Sequence, residues 1–478
     1  MTHPHPTPAA APHTAVPPPA GPRPWLALTL LCVAQFMLVL DVTVVNVALP
    51  SMAADLDLGR TELTWVVTTY TLCFGGLMLL GGRLADVLGA RRTLLAGLAL
   101  FTLASLVTGL ASDAATLLAG RTAQGVGAAL LSPAALAIVT TSFHGRDRHR
   151  ALGVWAAIGG AGAAIGVLLG GVLSDGPGWE WIFYVNVPIG AALLVALPSF
   201  VPARAPRPAR LDIPGALLVT AGTGSLIYGL VAAGDTGWVG ARTLIPVTTA
   251  AVAYGAFAAV ERAQRAPLID LAVLRRRPVV VGAYLMLVAT ALLISLFFLG
   301  SVFLQEVRGY SALRTGVLFL PVAVATGVGA HIGGQFVGRV GARPTAGVGL
   351  LLAGLGTGLL TGAGPDGNAW ASVVPGMSVA ALGLGSVFVA ATTTALGYIA
   401  PEEAGVASGV VNTFHEVGGS VGVAVVSTVA ATGIEGGTSG GFTDAFLVCA
   451  IAAVVSAAAT LALVPRGKPQ LTGGPHVH

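Results

Sequence analysis

The stretch Leu40–Pro50, LDVTVVNVALP, places an acid, Asp41, deep inside an apolar run that begins at Trp25. From Trp25 to Leu49 the run has 25 residues, and about 20 suffice for a helix to cross a bilayer. Its only strongly polar members are Gln35, Asp41 and Asn46. A carboxylate near the bilayer centre costs roughly 2.5–3.5 kcal/mol on insertion scales, and such groups face a protein interior or a water-filled path. Asp41 is therefore neutral, partnered, or loaded and unloaded with a proton as part of a task.

The rest of the chain has the same solvent. Charged residues make up 9% of the 478 positions, against about 25% in an ordinary soluble domain. Apolar residues reach 55%, with 66 glycines besides, so lipid surrounds most of the chain. The formal charge of +4 comes from basic residues scattered in short loops, which argues against nucleic acid as a partner. Cys32, Cys73 and Cys449 are odd in number and lie within apolar runs, the pattern of buried inert thiols rather than of a disulfide framework. Residues 1–24 form a proline-rich tail whose composition predicts disorder. Its three histidines, with the two at the other end of the chain, read as solvated side chains rather than metal ligands.

Fourteen apolar runs of helical length can be read along the chain, the two long runs 115–141 and 404–431 partly leaving the hydrocarbon. Nineteen of the 24 basic residues fall in one set of alternating loops, four in the other, and Arg121 inside a span. Under the positive-inside rule this predicts fourteen transmembrane helices with both termini cytoplasmic. Twelve spans plus two amphipathic segments is the competing count. The Pro/Arg-rich stretch Val201–Asp212 and the basic stretch Glu261–Pro278 flank two short spans, 213–233 and 244–260. The expected organisation is a six-helix bundle over 25–201, a linker with two extra helices over 202–278, a second six-helix bundle over 279–465 and a tail over 466–478.

An internal repeat supports the halves. GRLADVLGARR, Gly82 to Arg92, matches GQFVGRVGARP, Gly334 to Pro344, with Gly89 on Gly341 and Arg91 on Arg343. Repeated halves are how many secondary transporters are built, with the substrate site between them near the midplane. The second copy carries Gly338 where the first carries Asp86.

The first copy resembles the loop motif between the second and third spans of the major facilitator superfamily. LDVTVVNVALP resembles the first-span motif of that family's fourteen-span drug:proton antiporter branch. LAGRTAQGVGAALLSP (Leu118 to Pro133), WEWIFYVNVPIG (Trp179 to Gly190) and GVASGVVNTFHEVGGSVGVAVV (Gly405 to Val426) resemble other segments of the branch. The resemblance runs from about residue 25 to 465. It implies an all-α membrane protein of the major facilitator fold, two six-helix bundles plus two inserted helices, in the cell membrane. It also implies proton-coupled drug efflux, with Gly82, Asp86, Gly89, Arg91 and Arg92 as a gating loop. One departure stands out. The branch's fifth-span antiport motif carries a Gly-Pro pair, and GAGAAIGVLLGG (Gly160 to Gly171) has Ala163 at the usual proline. Gly162, Gly166 and Gly170 keep the four-residue spacing that lets helices approach closely, so they are packing candidates whether or not they serve coupling.

Coupling candidates are the ionisable residues inside spans. Proton-coupled transport needs a buried carboxyl whose affinity for protons changes with its surroundings. Asp41 is the first candidate. Arg121 cannot lose its proton and needs an acid, a carbonyl or water. Ser408, Asn412, His415, Glu416 and Gly419 share one face of a helix, and a polar stripe with an ionisable pair predicts a cavity wall. Gln35, Asn46, Ser408, Asn412 and His415 are assigned to the substrate cavity, and Asp41, Arg121 and Glu416 to proton coupling. His331 reads as a satisfied core residue, Glu180 as an interfacial acid, and Trp179 and Trp181 as headgroup anchors. Asp86 can also cap a neighbouring helix N-terminus.

No Walker loop, metal-ligand spacing or Gly-x-Ser-x-Gly elbow occurs. The chain is expected to be no enzyme, to need no cofactor beyond the proton, and to work as a monomer in lipid on a small molecule. Export of amphipathic or cationic compounds is the leading reading. Import of a metabolite on the same fold, or a non-transporting membrane sensor, are the alternatives.

Overall fold

A computed structural model describes residues 24–143, 145–201, 212–264, 276–397 and 404–465. Residues 1–23, 202–211, 265–275 and 466–478, with the histidines and arginines in those ranges, lie outside the described residues.

The described chain is helical, without a strand. Its fourteen long helices are α1 (Pro24–Leu56), α2 (Arg60–Leu88), α3 (Ala90–Gly109), α4 (Ala114–Ser142), α5 (Gly145–Asp175), α6 (Trp181–Phe200), α7 (Ile213–Thr236), α8 (Ala241–Ala263), α9 (Arg277–Val307), α10 (Ala312–Val340), α11 (Ala342–Leu360), α12 (Ala369–Leu396), α13 (Ala404–Val429) and α14 (Ser439–Leu463). Eleven of the described helices are long and apolar enough to cross a membrane, and α5, α11 and α13 are not among them. Helix α11 is short and glycine-rich and α13 carries His415 and Glu416, whereas of α5 the stretch Ile165–Asp175 stands as a shorter apolar helix. Helix α1 runs on through Pro50 to Leu56 rather than stopping at the proline. Pro50 forfeits one backbone bond, and the buried residues around it hold the helix together.

Helices α1–α6 pack on one another, chiefly as α3 on α4, α2 on α4 and α1 on α5, and α9–α14 do the same, chiefly as α10 on α12, α11 on α12 and α9 on α13. The pair α7 and α8 packs together, and α7 lies against α2 and α13. The repeat is visible in the backbone. Gly89 begins α3 and Gly341 begins α11, both at φ 93°, a conformation open to glycine and strained for other residues. The shared glycine thus makes the same sharp reversal twice.

The two bundles meet through α2 on α13, α5 on α10, and α1 on α9. Their hydrogen bonds gather at the end away from the arginine-rich loops. Asp175 at the end of α5 accepts from the backbone N–H groups of Ala312 and Leu313, at 3.0 and 2.9 Å, which open α10. The Gln305 amide donates to the Val47 carbonyl at 2.9 Å. Along α2, the Thr64 hydroxyl donates to Ser427 at 2.9 Å, and the Thr71 and Ser420 hydroxyls share a bond. Arg60 is buried at the mouth of this seam and pairs with the exposed Glu435 at 3.2 Å. Arg60 also lies against Gly234 of α7, where an added Cβ would meet the guanidinium at 2.9 Å. One arginine thus touches both bundles and the inserted pair.

At the same end, Asp113 caps α4, accepting from the Thr116 N–H at 2.8 Å and from its hydroxyl. Those bonds hold its carboxyl below the usual carboxylate range. The cap therefore persists through neutral pH and fails only as pH falls through that lowered value.

If this seam must open for function, tying it shut will stop the cycle. Thr64→Cys with Ser427→Cys, in a chain whose three native cysteines are replaced by alanine, is expected to lose transport on oxidation and regain it on reduction. Full transport by the oxidised pair would show that the seam stays closed throughout.

Candidate functional site

Asp41 and Arg121, eighty residues apart, are brought together inside the first bundle. The Arg121 Nη1 donates to the Asp41 carboxylate at 2.5 Å, and each side chain is 1% exposed. Arg121 also donates from Nη1 to the Gln124 side-chain oxygen at 3.0 Å and from Nε to the Val66 carbonyl at 3.1 Å. Its guanidinium carbon lies 4.4 Å from the centre of the Tyr70 ring and 5.8 Å from that of Phe183, so its faces are covered by rings while its edge is used for hydrogen bonds.

The acid has further partners. The Gln124 amide donates to Asp41 Oδ1 at 3.0 Å and to the Ser105 hydroxyl at 2.8 Å, and the Asn186 amide reaches Asp41 Oδ1 at 3.5 Å. Gln124, Ser105 and Asn186 are buried. The network joins α1, α2, α3, α4 and α6. Helix α5 meets it from behind through Gly162, Gly166 and Gly170, which lie on Val39, Thr43 and Val44 of α1. A Cβ at Gly170 would come within 2.9 Å of the Val44 carbonyl, and one at Gly166 would overlap the Thr43 hydroxyl. The stripe's room is used for packing directly behind Asp41.

Glu416 is in the other bundle, at the seam. A Cβ on Gly75 of α2 would meet the Glu416 Cβ at 2.6 Å, so the absent side chain at 75 admits the acid. Among the described residues Glu416 makes no hydrogen bond or ion pair. Its neighbour His415 turns to α9, with Nδ1 2.8 Å from the Thr290 hydroxyl and its ring 5.6 Å from that of Phe388. Asn412 is exposed and Ser408 half-buried on the same helix. Gln35 is half-buried and accepts from the Ser132 hydroxyl at 3.1 Å. Asn46 is buried and donates to the Val42 carbonyl at 2.8 Å within its own helix.

Several expectations need correction. Trp179 is not a headgroup anchor: it is buried and its indole N–H donates to Asp55 at 3.1 Å. Trp181 is 49% exposed. His331 is exposed rather than core, 3.0 Å from the Gln335 amide one turn on. Asp86 is exposed in the last turns of α2. Gly82 lies within α2 rather than in the turn, whereas Gly89 makes the turn. Arg91 is half-buried and Arg92 exposed.

Gln124, Asn186, Ser105 and Tyr70 are members of the cluster that the polar-residue scan passed over. Gln124 and Asn186 stood within quoted motif segments, three residues after Arg121 and seven after Trp179. An amide one helical turn from a buried arginine was the available signal.

Two repeated helical bundles, closed on one another around intramembrane ionisable groups, define a multi-pass membrane carrier. The model of the Major Facilitator Superfamily matches residues 31–423. The chain is 40% identical over 415 residues to the puromycin resistance protein pur8 of Streptomyces alboniger, covering 85% of this chain and 82% of that one. It is 40% identical over 411 residues to the cephamycin export protein CmcT of Amycolatopsis lactamdurans, covering 84% of each. The crystal structure of an auto-inhibited POT family peptide transporter superposes with a TM-score of 0.66 over 94% of this chain and 99% of that one, at 17% identity. The chain belongs to the Major Facilitator Superfamily, and these two relatives are named for puromycin resistance and for cephamycin export. It is a transporter rather than an enzyme.

Breaking one side of the ion pair leaves a buried charge alone, at a cost of about 3–5 kcal/mol. Arg121→Leu is therefore expected to lower the melting temperature in detergent sharply, and Asp41→Asn in the same chain to restore part of the loss. Equal melting of the single variant and the parent would mean the pair contributes nothing to holding the bundle.

Proposed function

We propose that the chain exports small amphipathic or cationic compounds in exchange for protons, by alternating access between its two bundles. The observation that carries this reading is one carboxyl in each bundle, in unlike surroundings. Asp41 is held by an arginine in one bundle, and Glu416 stands without an ion-pair partner among the described residues in the other. A carboxyl with a permanent cation beside it and one without are two different proton sites, and rocking changes the surroundings of the one at the seam. Relatives named for antibiotic export and resistance favour export over import.

In this reading the fourteen long helices are fourteen spans in the cell membrane, both termini are cytoplasmic, and the chain acts as a monomer in lipid with the proton as its only coupling ion. The hydrogen-bonded end is then the outer face, shut in this arrangement. Asp41, Arg121 and Glu416 serve coupling. Gln35, Asn46, Ser408, Asn412 and His415 serve the cavity, and the loop of Asp86, Arg91 and Arg92 the cytoplasmic gate. The glycine stripe keeps α1 and α5 together even with Ala163 in place of the branch's proline.

Susceptible cells expressing the chain, challenged with puromycin with and without a protonophore, supply the test. Protection is expected to vanish with the protonophore. In inverted vesicles Asp41→Asn is expected to slow proton-driven puromycin uptake by about tenfold or more, some 1.4 kcal/mol in barrier, with the protein still inserted. Uptake at the parental rate by that variant, or protection indifferent to the protonophore, would remove the proton from the mechanism.

A further inference from the structure

Tyr70 of α2 is fully buried, and its two ends have different surroundings. Its ring lies under the Arg121 guanidinium and edge-on to Phe74, at 5.8 Å between centres. Its hydroxyl is sealed from solvent and has no hydrogen-bond partner among the described residues. Such groups are rare and unfavourable in protein interiors, and phenylalanine would fill the same space without the penalty. The nearby charged groups are Arg121 of α4 over its ring, Asp41 of α1 paired to that arginine, and Glu416 of α13 against the same helix at Gly75. Cys73 is one turn along α2 itself, and His415 is turned away onto Thr290 of α9. Of the two acids, Asp41 is already engaged by Arg121 and Gln124. Glu416 makes no hydrogen bond among the described residues, and it enters the seam at Gly75, five residues along α2.

We propose that Tyr70 is a positioning residue that joins the two acids across the seam, its hydroxyl donating to Glu416 when the bundles rock while its ring keeps hold of Arg121. The proposal rests on the coupling role given above to Asp41 and Glu416. Tyrosine has two side-chain torsions and a rigid ring, so a pull on the hydroxyl tilts the ring face beneath the guanidinium. The state of Glu416, whether neutralised by a proton or by a bound cation, is thereby transmitted to the Asp41–Arg121 pair without either acid moving through the protein. No covalent bond changes. The hydroxyl idle in this arrangement is the contact that the other arrangement uses.

Tyr70→Phe removes the hydroxyl and keeps the ring. Two measurements in proteoliposomes test the link. The first needs no substrate: the pH profile of carbodiimide labelling of Glu416 is expected to shift by about one unit in Tyr70→Phe. An unshifted profile overturns the proposal whatever the transport rates. In the second, Tyr70→Phe is expected to leave puromycin binding within about twofold of the parent and to slow proton-driven transport by about tenfold. Combining it with Glu416→Gln is then expected to give no loss beyond that of Glu416→Gln alone. Losses that multiply would show two independent residues and overturn the link. If the parental chain moves puromycin without moving protons, the antiport reading fails, and the labelling profile still decides whether Tyr70 and Glu416 are joined.

Discussion

The first bundle depends on one interaction, the buried pair of Asp41 and Arg121. In a low-dielectric interior neither charge is tolerable alone, and each needs its remaining hydrogen-bonding capacity met. The protein meets that need with an amide from α4, a carbonyl from α2 and an amide from α6, and a hydroxyl from α3 holds the first of these amides. A pair so supplied acts as a clasp. It fixes the rotation of α1, and so decides which residues of α1 turn toward the second bundle. The glycine stripe of α5 then presses against the back of that same stretch.

The second bundle has no such clasp among the described residues. Its adjacent ionisable residues His415 and Glu416 sit on α13, which packs against α2 at the seam. The asymmetry is notable in a chain whose halves share a loop motif and a glycine at the same φ. The repeat preserves the turn geometry, which any antiparallel helix pair needs, and leaves the chemistry free to diverge. Asp86 and Gly338 differ for the same reason.

Much of this was readable in the residues, and the limits were physical. Intramembrane charge is so unfavourable that Asp41, Arg121 and Glu416 declare themselves against an apolar background, and the family resemblance follows from their motifs. The partnership of Asp41 with Arg121 was one of several open possibilities, because no periodicity links α1 to α4. Gln124 and Asn186 were missed because neutral amides blend into a helix and become visible only once the charge beside them is known. Trp179 was misread because tryptophan suits both the headgroup region and a buried hydrogen bond, and only Asp55 distinguishes them. The stripe at Gly162, Gly166 and Gly170 announced close packing, but not that its partner would be the helix carrying Asp41.

Magnitudes explain how such a molecule can rock without melting. Beside the apolar packing of α1 and α5 on α9 and α10, the polar contacts across the seam are hydroxyl, amide and backbone bonds and, among the described residues, one ion pair whose acid is exposed at the surface. In membranes such side-chain hydrogen bonds average about 0.6 kcal/mol and reach about 1.7 kcal/mol, and exposed ion pairs contribute about 0–1 kcal/mol. The clasp inside the first bundle resists disruption by about 3–5 kcal/mol for the loss of one partner. A handful of weak bonds at one end can be exchanged for another set at the opposite end at little net cost, whereas the clasp cannot be opened on the same terms. Motion is therefore directed to the seam, and the bundles turn as bodies. A change in the charge of Glu416, located at that seam, then acts on the softest contacts in the protein rather than on the stiffest.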